Sequence, residues 1–351
     1  MSCETALRPL AAPLWLLAAA CATARPPRVA WPAPPARERI QLVRTLSNSG
    51  DLEGGFGRFW RKLAGVEAPV SLYHPVGVAV SSEGDLVAVT DQAIGTLFLF
   101  DLAGNELRTI AREKLGGPPV GVSVAGAEVW TVVPDRRIAL AFDRKGTPLR
   151  SIDLADCERP TGVAVDAQGG TLYVSDTSST KGAGHSVHVH ALATGEHRAR
   201  IGQKGQGQGE LFFPTFVALA PGGVYVADTM NARVIEFSRD GKFVRQFGER
   251  GDRFGHFDKP KGIGTDSFGN VYVVDSFFSA VQIFNREGKL LLFFGGPGDS
   301  PGFLANPAGL AIDRNNRIYV ANGLNFRIDI YQLVNTTAAD SQAREPAPPA
   351  N

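Results

Sequence analysis

A repeated segment decides the fold, as residues 214–248, PTFVALAPGGVYVADTMNARVIEFSRDGKFVRQFG, and residues 260–295, PKGIGTDSFGNVYVVDSFFSAVQIFNREGKLLLFFG, show. The two segments align almost without gaps, and four further segments follow the same scheme. Each of the six copies opens with a proline: Pro75, Pro119, Pro160, Pro214, Pro260 and Pro307. Successive prolines lie 41 to 54 residues apart, a period typical of β-propeller blades.

Each copy predicts four short strands separated by turns. Pro-x-Gly opens the first strand in most copies, whereas the fourth copy has Phe216 in place of the glycine. The strands are apolar on both faces, as in Phe98-Leu99-Phe100, which suits blades that pack against a neighbour on either side. The sequence therefore predicts an all-β chain, a six-bladed β-propeller of four-stranded antiparallel blades.

Closure of the ring is also visible in the sequence. The last copy ends near Leu333 after only three strands. Residues 39–46, RIQLVRTL, are similar to the fourth strand of other copies, for example residues 242–248. We expect this N-terminal strand to complete the last blade, so that no sheet edge is left open. Residues 39–334 are thus predicted to form one domain.

This repeat resembles the NHL family. Residues 307–313, PAGLAID, residues 317–322, RIYVAN, and residues 325–328, NFRI, follow the family's pattern, as do residues 224–234, VYVADTMNARV. The resemblance spans residues 39–334 and implies a six-bladed propeller. Family members include extracellular sensor domains, RNA- or protein-binding modules and a metal-dependent amidating lyase, so the resemblance does not choose a function.

Charge and composition narrow the classes of function. The 36 Lys and Arg residues are balanced by 35 Asp and Glu, a net charge of +1, so we expect no nucleic-acid partner. No CxxC, CxxCH or HExxH motif occurs, and we expect no cofactor. The glycine-rich residues 202–209, GQKGQGQG, precede a strand, whereas a phosphate loop needs a following helix. They are predicted to join two blades.

The N-terminus is expected to be an export signal. Residues 7–20, LRPLAAPLWLLAAA, are too short an apolar run to span a bilayer and are typical of a signal peptide covering residues 1–24. Leu17-Ala18-Ala19-Ala20-Cys21 is similar to a bacterial lipobox, so Cys21 is the expected lipidation site. Cleavage after Ala24 is the alternative, and it would release a soluble protein.

The segments on either side of the repeat do not show the repeat's apolar pattern. Residues 25–38 are rich in proline and are expected to form an extended tether. Residues 335–351 are expected to be a disordered tail. Processing at the N-terminus would leave Cys157 as a lone thiol, which we interpret as a small buried side chain.

The candidate binding residues lie in the loops between the second and third strands, which all emerge at one end of a propeller. In the family that the repeat resembles, these loops are usually polar. Here they contain apolar residues: Ile94, Met230, Phe277, Phe278, Leu324 and Phe326. Tyr73 and Phe213, which precede the first and fourth copies, extend the same rim. Exposed apolar residues on one face indicate a contact surface, unless they fold back onto neighbouring blades.

Catalytic and metal-binding interpretations are weaker. His188 and His190 share one face of a strand and, with His185 and His197, could bind zinc or copper. Alignment with Ile235 and Phe237 instead places them in a packed third strand, so we assign no metal site and keep His188 and His190 only as candidates. No catalytic residue is assigned.

Two sets of recurring positions bear on an axial metal site. The residues between Pro and Gly are poor metal ligands: Val76, Val120, Thr161, Thr215, Lys261 and Ala308. The residues that end the second strands are expected to cap turn amides: Asp91, Asp135, Asp176, Asp228, Asp275 and Asn322.

Together these features predict an exported, lipid-anchored propeller of the bacterial cell envelope. We expect a monomeric scaffold or sensor that binds another envelope protein through its loops and the membrane through Cys21. Two alternatives stay open. One is a metal-dependent lyase or hydrolase, similar to an amidating lyase or a lactonase. The other is an extracellular carbohydrate or peptide binder.

Overall fold

The computed structural model describes residues 28–52, 69–182 and 184–341, in which six antiparallel sheets form a ring. Each sheet is one blade, and its strands run in chain order from the axis outward in the first five blades. The predicted six-bladed β-propeller is confirmed. Residues 1–27, 53–68, Ala183 and 342–351 lie outside the described residues, and the predicted signal peptide and Cys21 are among them.

The chain enters through two strands that belong to the last blade, β1 (Ala30–Trp31) and β2 (Ile40–Leu46). Blade 1 contains β3 (Pro75–Val80), β4 (Leu86–Asp91), β5 (Thr96–Asp101) and β6 (Glu106–Ile110). Blade 2 contains β7 (Val122–Ala125), β8 (Glu128–Val133), β9 (Ile138–Asp143) and β10 (Pro148–Asp153). Blade 3 contains β11 (Pro160–Asp166), β12 (Thr171–Asp176), β13 (Ser186–Ala191) and β14 (His197–Ile201).

The remaining blades follow the same order. Blade 4 contains β15 (Pro214–Ala220), β16 (Gly223–Asp228), β17 (Arg233–Phe237) and β18 (Phe243–Phe247). Blade 5 contains β19 (Pro260–Thr265), β20 (Val271–Asp275), β21 (Ala280–Phe284) and β22 (Leu290–Gly295). Blade 6 contains β23 (Pro307–Ile312), β24 (Arg317–Asn322) and β25 (Arg327–Leu333), followed outward by β2 and β1.

Among the residues that the structure describes, helical structure is confined to short connections. One α-helical turn, α1 (Arg112–Leu115), joins blades 1 and 2. The described 3-10 turns are Ser49–Leu52, Pro134–Arg136, Thr229–Asn231, Gly323–Asn325 and Ala338–Ser341. Within the described part of the chain, no helix is long and apolar enough to cross a bilayer.

The Pro-x-Gly starts meet around the axis, where neighbouring backbones approach closely. A Cβ atom on Gly77 of blade 1 would lie 2.4 Å from the carbonyl oxygen of Val120 in blade 2. The same contact recurs between Gly262 and Ala308, at 2.3 Å. The Thr90 hydroxyl also donates a hydrogen bond across this gap, to the Val120 carbonyl at 2.5 Å. Glycine is thus required at Gly77 and Gly262, because a side chain at either position would separate the inner strands.

The core is divided among the six gaps between blades, each filled by one apolar cluster. Strand β5 shows how one strand serves two gaps. Phe98 and Phe100 pack toward blade 6, whereas Leu97 and Leu99 pack toward blade 2, and all four are fully buried. The prediction that the strands are apolar on both faces because both faces are covered is confirmed for this strand.

The ring closes as predicted. Strand β2 pairs with β25 in antiparallel register, from Ile40 opposite Leu333 to Leu46 opposite Ile328. The structure adds a fifth strand to this blade, because β1 pairs with the outer edge of β2. The Trp31 ring packs 5.8 Å from that of Tyr331, so residues 28–38 are fixed to blade 6 and do not form a free tether.

The C-terminal segment begins against the same blade. Arg39 donates to Asp340 at 2.8 Å and to the Asn335 carbonyl at 2.9 Å. Residues 335–341 of the predicted tail therefore dock on the propeller because a guanidinium at the start of β2 binds them. The prediction of disorder is thereby limited to residues 342–351, outside the described residues.

Candidate functional site

The candidate site is the loop face, the end of the propeller formed by the loops between the second and third strands and by the segments that enter the inner strands. Its second-to-third-strand loops are residues 92–95, 134–137, 177–185, 229–232, 276–279 and 323–326. Because all inner strands start at this end, the loops of the six blades share one surface.

The carboxylates at the strand ends hold these loops. Asp275 accepts hydrogen bonds from the Phe277 amide at 2.9 Å and from the Asp258 amide at 2.8 Å, which ties its own loop to the segment entering the blade. Asp91 does the same with the amides of Tyr73 and His74. The amide-capping role expected for these residues is thus present at both positions, whereas Asp135 is exposed.

Three apolar residues occupy equivalent positions on successive blades. Met230, Phe277 and Leu324 each stand two residues after the residue that ends the second strand, on blades 4, 5 and 6. Their exposed fractions are 42%, 66% and 56%. Tyr73 and Ile94 on blade 1 and Phe326 on blade 6 are also exposed. We name these six residues the apolar arc; they do not fold back onto neighbouring blades.

Phe278 differs from the residues of the apolar arc. It occupies the loop position at which blades 4 and 6 have an asparagine that binds the loop preceding the blade. In blades 4 and 6, Asn231 and Asn325 each donate to a glycine carbonyl of that preceding loop, both at 2.9 Å. In blade 5 the Phe278 ring instead lies 5.8 Å from that of Phe254 in the preceding loop. Phe278 is therefore half-buried, and its contribution to the rim was overestimated from the sequence.

Phe213 also lies apart from the apolar arc. It is half-buried, its ring is 4.7 Å from that of His185, and its amide donates to the His185 Nδ1 at 3.2 Å. Burial lowers the pKa of His185, which keeps the imidazole neutral and able to accept this hydrogen bond. The Phe213 side chain lines the mouth of the axial channel.

Arg233 latches the glycine-rich loop between blades 3 and 4. Its Nε donates to the buried Asp228 at 2.9 Å, and its terminal nitrogens donate to the carbonyls of Gln206 at 3.0 Å and Glu210 at 2.7 Å. Arg327 of blade 6 holds the preceding loop in the same way, through the carbonyls of Asp299 and Ser300. The arginine of the repeat thus fixes a connection between blades, in agreement with the structural interpretation of residues 202–209.

The axial channel opens on the loop face as a cavity of about 300 Å³. Its lining is His74, Val76, Gln92, Val120, Pro134, Arg159, Thr161, Thr177, Phe213, Thr215, Phe216, Lys261, Asn306 and Ala308. Two of these side chains are cationic, and this lining contains no carboxylate. Burial lowers the pKa of Lys261 and the neighbouring Lys259 lowers it further, whereas the Asp275 carboxylate, outside this lining, partly offsets both effects. The mouth is therefore suited to an anionic group and poor in ligands for a hard metal ion.

Several exposed aromatic residues near blade 5 were missed in the sequence. Phe254 and Phe293 are exposed and their rings stack at 3.4 Å, next to Phe278. The general prediction that the strands are covered on both faces fails at Phe293, in the run 290–294, LLLFF. Strand β22 is the outermost strand of its blade, so Phe294 is buried while Phe293 is not. The position of the run in the fourth strand is the signal that would have identified it.

The two histidine candidates lie where the alignment predicted, in the third strand of blade 3. His188 and His190 are buried in the gap that faces blade 2, beside Cys157. Blade 3 carries no residue of the apolar arc, and the two histidines form a separate cluster.

Comparison with known proteins supports the repeat over part of the chain. No protein-family model matches. A stretch of 74 residues, 21% of the chain, is 43% identical to "RING finger protein nhl-1" of Caenorhabditis elegans. The matched stretch covers 8% of the length of that protein. The similarity therefore concerns the NHL repeat and does not extend to the other parts of that protein.

Comparison with solved structures covers most of the chain. A Bacteroides thetaiotaomicron protein of unknown function has a TM-score of 0.59 at 17% identity, over 76% of this chain and 70% of that one. A chain of a nidogen/laminin complex has a TM-score of 0.58 at 17% identity, over 72% and 87%. A streptogramin B lyase has a TM-score of 0.55 at 12% identity, over 75% and 94%. At these identities the likeness concerns the fold alone. The structure itself shows a six-bladed β-propeller, and the match over 74 residues supports an NHL-type repeat within it.

Proposed function

We propose that this chain is a protein-binding scaffold or sensor and that the apolar arc is its contact surface. The observation that carries the proposal is the recurrence of an exposed apolar residue at the same loop position in three successive blades, Met230, Phe277 and Leu324. Scattered exposed apolar residues are ordinary, whereas a set that shares one face marks an interaction site.

The positive charge at the mouth of the axial channel indicates which group the partner places there. Arg159 and the half-buried Lys261 line the cavity next to the apolar arc, and the lining contains no carboxylate. A partner that places apolar side chains on the arc and a carboxylate over the axis would satisfy both features. Such a charge would raise the association rate and make binding sensitive to salt.

The fold likeness is compatible with this proposal. One similar chain was solved as part of a nidogen/laminin complex, so a propeller of this kind is found in an assembly of proteins. The similarity to a lyase concerns the fold and does not by itself support the enzyme alternative. The axial lining of this chain offers cations and hydroxyl groups, and it contains no carboxylate that would hold a metal ion. Binding of a protein is therefore the function that the loop face favours.

The location of the chain is part of the same proposal. The apolar run at residues 7–20 and the lipobox-like residues before Cys21 support export and lipid anchoring in a bacterial envelope, with an envelope protein as partner and a monomeric propeller. Replacement of Cys21 by Ser would abolish incorporation of labelled fatty acid if the anchor is correct. Unchanged incorporation, or a mature N-terminus after Ala24, would contradict it.

The binding proposal is tested by crosslinked capture with the full chain from extracts of envelope proteins. Phe277→Ser and Leu324→Ser should each reduce capture of the same partner at least fivefold, since an exposed apolar anchor is lost. Leu149→Ser is the matched control, because Leu149 is also exposed, at 49%, but lies on the outer strand β10. Equal capture by all three variants would refute the role of the arc.

The axial charge is tested with the partner identified in this way. Lys261→Gln should weaken binding at low salt and flatten its dependence on salt concentration, because one cation is removed from the mouth. Lys242→Gln removes a fully exposed lysine from an outer turn of blade 4 and should leave that dependence nearly unchanged. An identical salt dependence in the two variants would contradict a carboxylate over the axis.

A further inference from the structure

A buried cluster of nitrogen and sulfur ligands lies between blades 2 and 3, on blades that carry no residue of the apolar arc. Cys157, in the connection between the two blades, is 1% exposed, and His188 and His190 on β13 are 3% and 0% exposed. One ligand atom from each of the three residues lies within 4.8 Å of the other two. Thiolate and imidazole are the ligands that zinc and copper prefer in proteins.

The hydrogen bonds of His190 leave one nitrogen free for a ligand. Its Nδ1 lies 3.2 Å from the carbonyl oxygen of Gly195. Because a carbonyl only accepts, Nδ1 carries the proton and Nε2 carries the lone pair. That Nε2 is buried and has no hydrogen-bond partner among the described residues. A metal-binding histidine is commonly oriented by such a bond from its other nitrogen to a backbone carbonyl.

His188 is held next to a further imidazole at the surface. Its Nδ1 lies 3.1 Å from the Nε2 of His197, which is exposed on the outer strand β14. The third imidazole therefore stands between the buried cluster and solvent, where it can supply a fourth ligand or admit an ion. The Nε2 of His188 lies 3.2 Å from the Ser186 hydroxyl, to which Arg200 also donates, and 3.8 Å from Asp176. Both nitrogens of His188 therefore have partners, and an ion bound to this ring would replace one of these two contacts.

In the absence of a metal ion the two imidazoles are neutral and the thiol is protonated, so an ion has only one proton to displace. Burial lowers the pKa of His188 to about 4 and lowers that of His190 as well, so both rings are neutral at pH 7. Burial raises the pKa of the Cys157 thiol, which is protonated when no ion is bound. Binding of a divalent ion would replace that proton, and one proton would leave to solvent per ion bound.

We propose that Cys157, His188 and His190 bind one zinc ion, with His197 or a water molecule as the fourth ligand. Zinc bonds of about 2.0–2.3 Å place ligand atoms roughly 3.3–3.7 Å apart, so the ligand atoms would close by about 1 Å. The ion would fasten the connection between blades 2 and 3 to β13. Because the gap is packed with apolar side chains, we assign the ion a structural role that uses no residue of the apolar arc.

Cobalt provides the direct test, since it occupies zinc sites and reports thiolate ligation. The full chain carries Cys3→Ser and Cys21→Ser, which leaves Cys157 as its sole thiol, and is stripped with a chelator. We expect one equivalent of Co²⁺ to produce a thiolate-to-cobalt charge-transfer band together with strong tetrahedral visible bands. One equivalent of Zn²⁺ should remove the bands and raise the thermal midpoint by several degrees.

Variants separate this site from adventitious binding. Cys157→Ser, close to the shape of the native side chain, should lose the charge-transfer band and the rise in the midpoint. His197→Ala changes an exposed residue and should weaken cobalt binding or alter the visible bands without unfolding the chain. His256→Gln, at a half-buried histidine outside the cluster, should leave every reading unchanged.

The proposal is overturned if the stripped chain binds neither ion, or if cobalt binds without a charge-transfer band. It is also overturned if Cys157→Ser folds and still gives the same spectrum and the same rise in the midpoint. Should Cys157→Ser fail to fold, His190→Gln provides the same comparison, because it removes the unpartnered Nε2 and retains the thiol.

Discussion

The rings of Phe277 and Phe278 lie 5.7 Å apart at an angle of 83°, and they serve different surfaces. Phe277 points into solvent from the loop face, whereas Phe278 packs beside Phe254, which itself stacks on Phe293. Blade 5 thus holds its preceding loop with aromatic contacts where blades 4 and 6 use an asparagine. Adjacent residues of the same type are therefore separable by mutation.

Phe277→Ser is expected to leave the free energy of unfolding within about 0.5 kcal/mol of the native value, because the side chain is exposed. Phe278→Ser should lower it by about 1–2 kcal/mol, because it removes a half-buried ring from an aromatic cluster. Urea denaturation of the two variants measures both values. Equal losses would show that Phe277 is also part of the packing and would remove it from the proposed contact surface.

Phe326 carries backbone strain on the loop face. Its φ is +56°, in the left-handed region that costs a bulky residue roughly 1–2 kcal/mol. Blade 1 has Gly95 at the equivalent position, with φ of +65°. Phe326→Gly should therefore raise the free energy of unfolding by about 0.5–1 kcal/mol, the gain being reduced by the entropy of glycine.

The control for this prediction is Phe277→Gly on the same face. Phe277 is not among the residues with positive φ, so glycine should lower stability there by about 0.5–1 kcal/mol. Chemical denaturation of both variants gives the comparison. If Phe326→Gly is destabilised as much as Phe277→Gly, the backbone of Phe326 is not under strain.

Arg233 is expected to be the most costly arginine to remove. Arg233→Met would leave the buried Asp228 without its 2.9 Å cationic partner and release the carbonyls of Gln206 and Glu210. Breaking such a buried pair costs about 3–5 kcal/mol. Arg314→Met is the control, because the side chains of Arg314 and its partner Glu83 are both exposed, at 63% and 53%, and its removal should cost less than about 1 kcal/mol.

The two variants are compared by the midpoint of urea unfolding and by limited proteolysis of the 202–209 loop. Cleavage in this loop should accelerate in Arg233→Met alone. Equal stability of the two variants would mean that Asp228 finds other partners and that the repeat arginine does not fix the connection between blades.

Much of the fold was predictable because local pattern and long-range packing agree in a repeat protein. Each copy repeats the same strands, and the Pro-x-Gly start has a direct cause in the 2.4 Å approach of a Gly77 Cβ to the Val120 carbonyl. The closing strand at residues 39–46 was predictable for the same reason, since its pattern matches other fourth strands.

The site was less predictable, because its properties depend on contacts between distant parts of the chain. Phe278 is half-buried because Phe254, in the preceding connection, reaches it, and no spacing rule predicts that contact. Cys157 meets His188 and His190 across a gap between blades, so no metal-binding motif appears in the sequence. The sequence pattern of a strand predicts which face of the sheet a side chain lies on. The Phe278 contact and the Cys157 cluster depend instead on which residues of another segment pack against that face.

Lys261 is the residue at which stability and the proposed function should conflict. It is half-buried at the axis, and burial lowers its pKa below 10.5, so its charge is disfavoured in the folded state. At pH 7 the charged form is present in both the folded and the unfolded chain, and the folded state bears the full cost of burial. As pH rises through the lowered pKa toward 10.5, the folded state loses the proton first and this cost disappears.

Lys261→Met should therefore raise the free energy of unfolding at pH 7, by on the order of 1 kcal/mol, while weakening partner binding. The gain should shrink as pH rises and should vanish above about pH 10.5, where the native lysine is neutral in both states. Urea denaturation of native and variant chains across this pH range measures the gain. A gain that does not change with pH would come from packing of the methionine, and a loss of stability at pH 7 would mean that the lysine has a partner that stabilises its charge. A binding site for a carboxylate needs a cation that is partly desolvated, and a lysine that lowers stability at the axis fits that role.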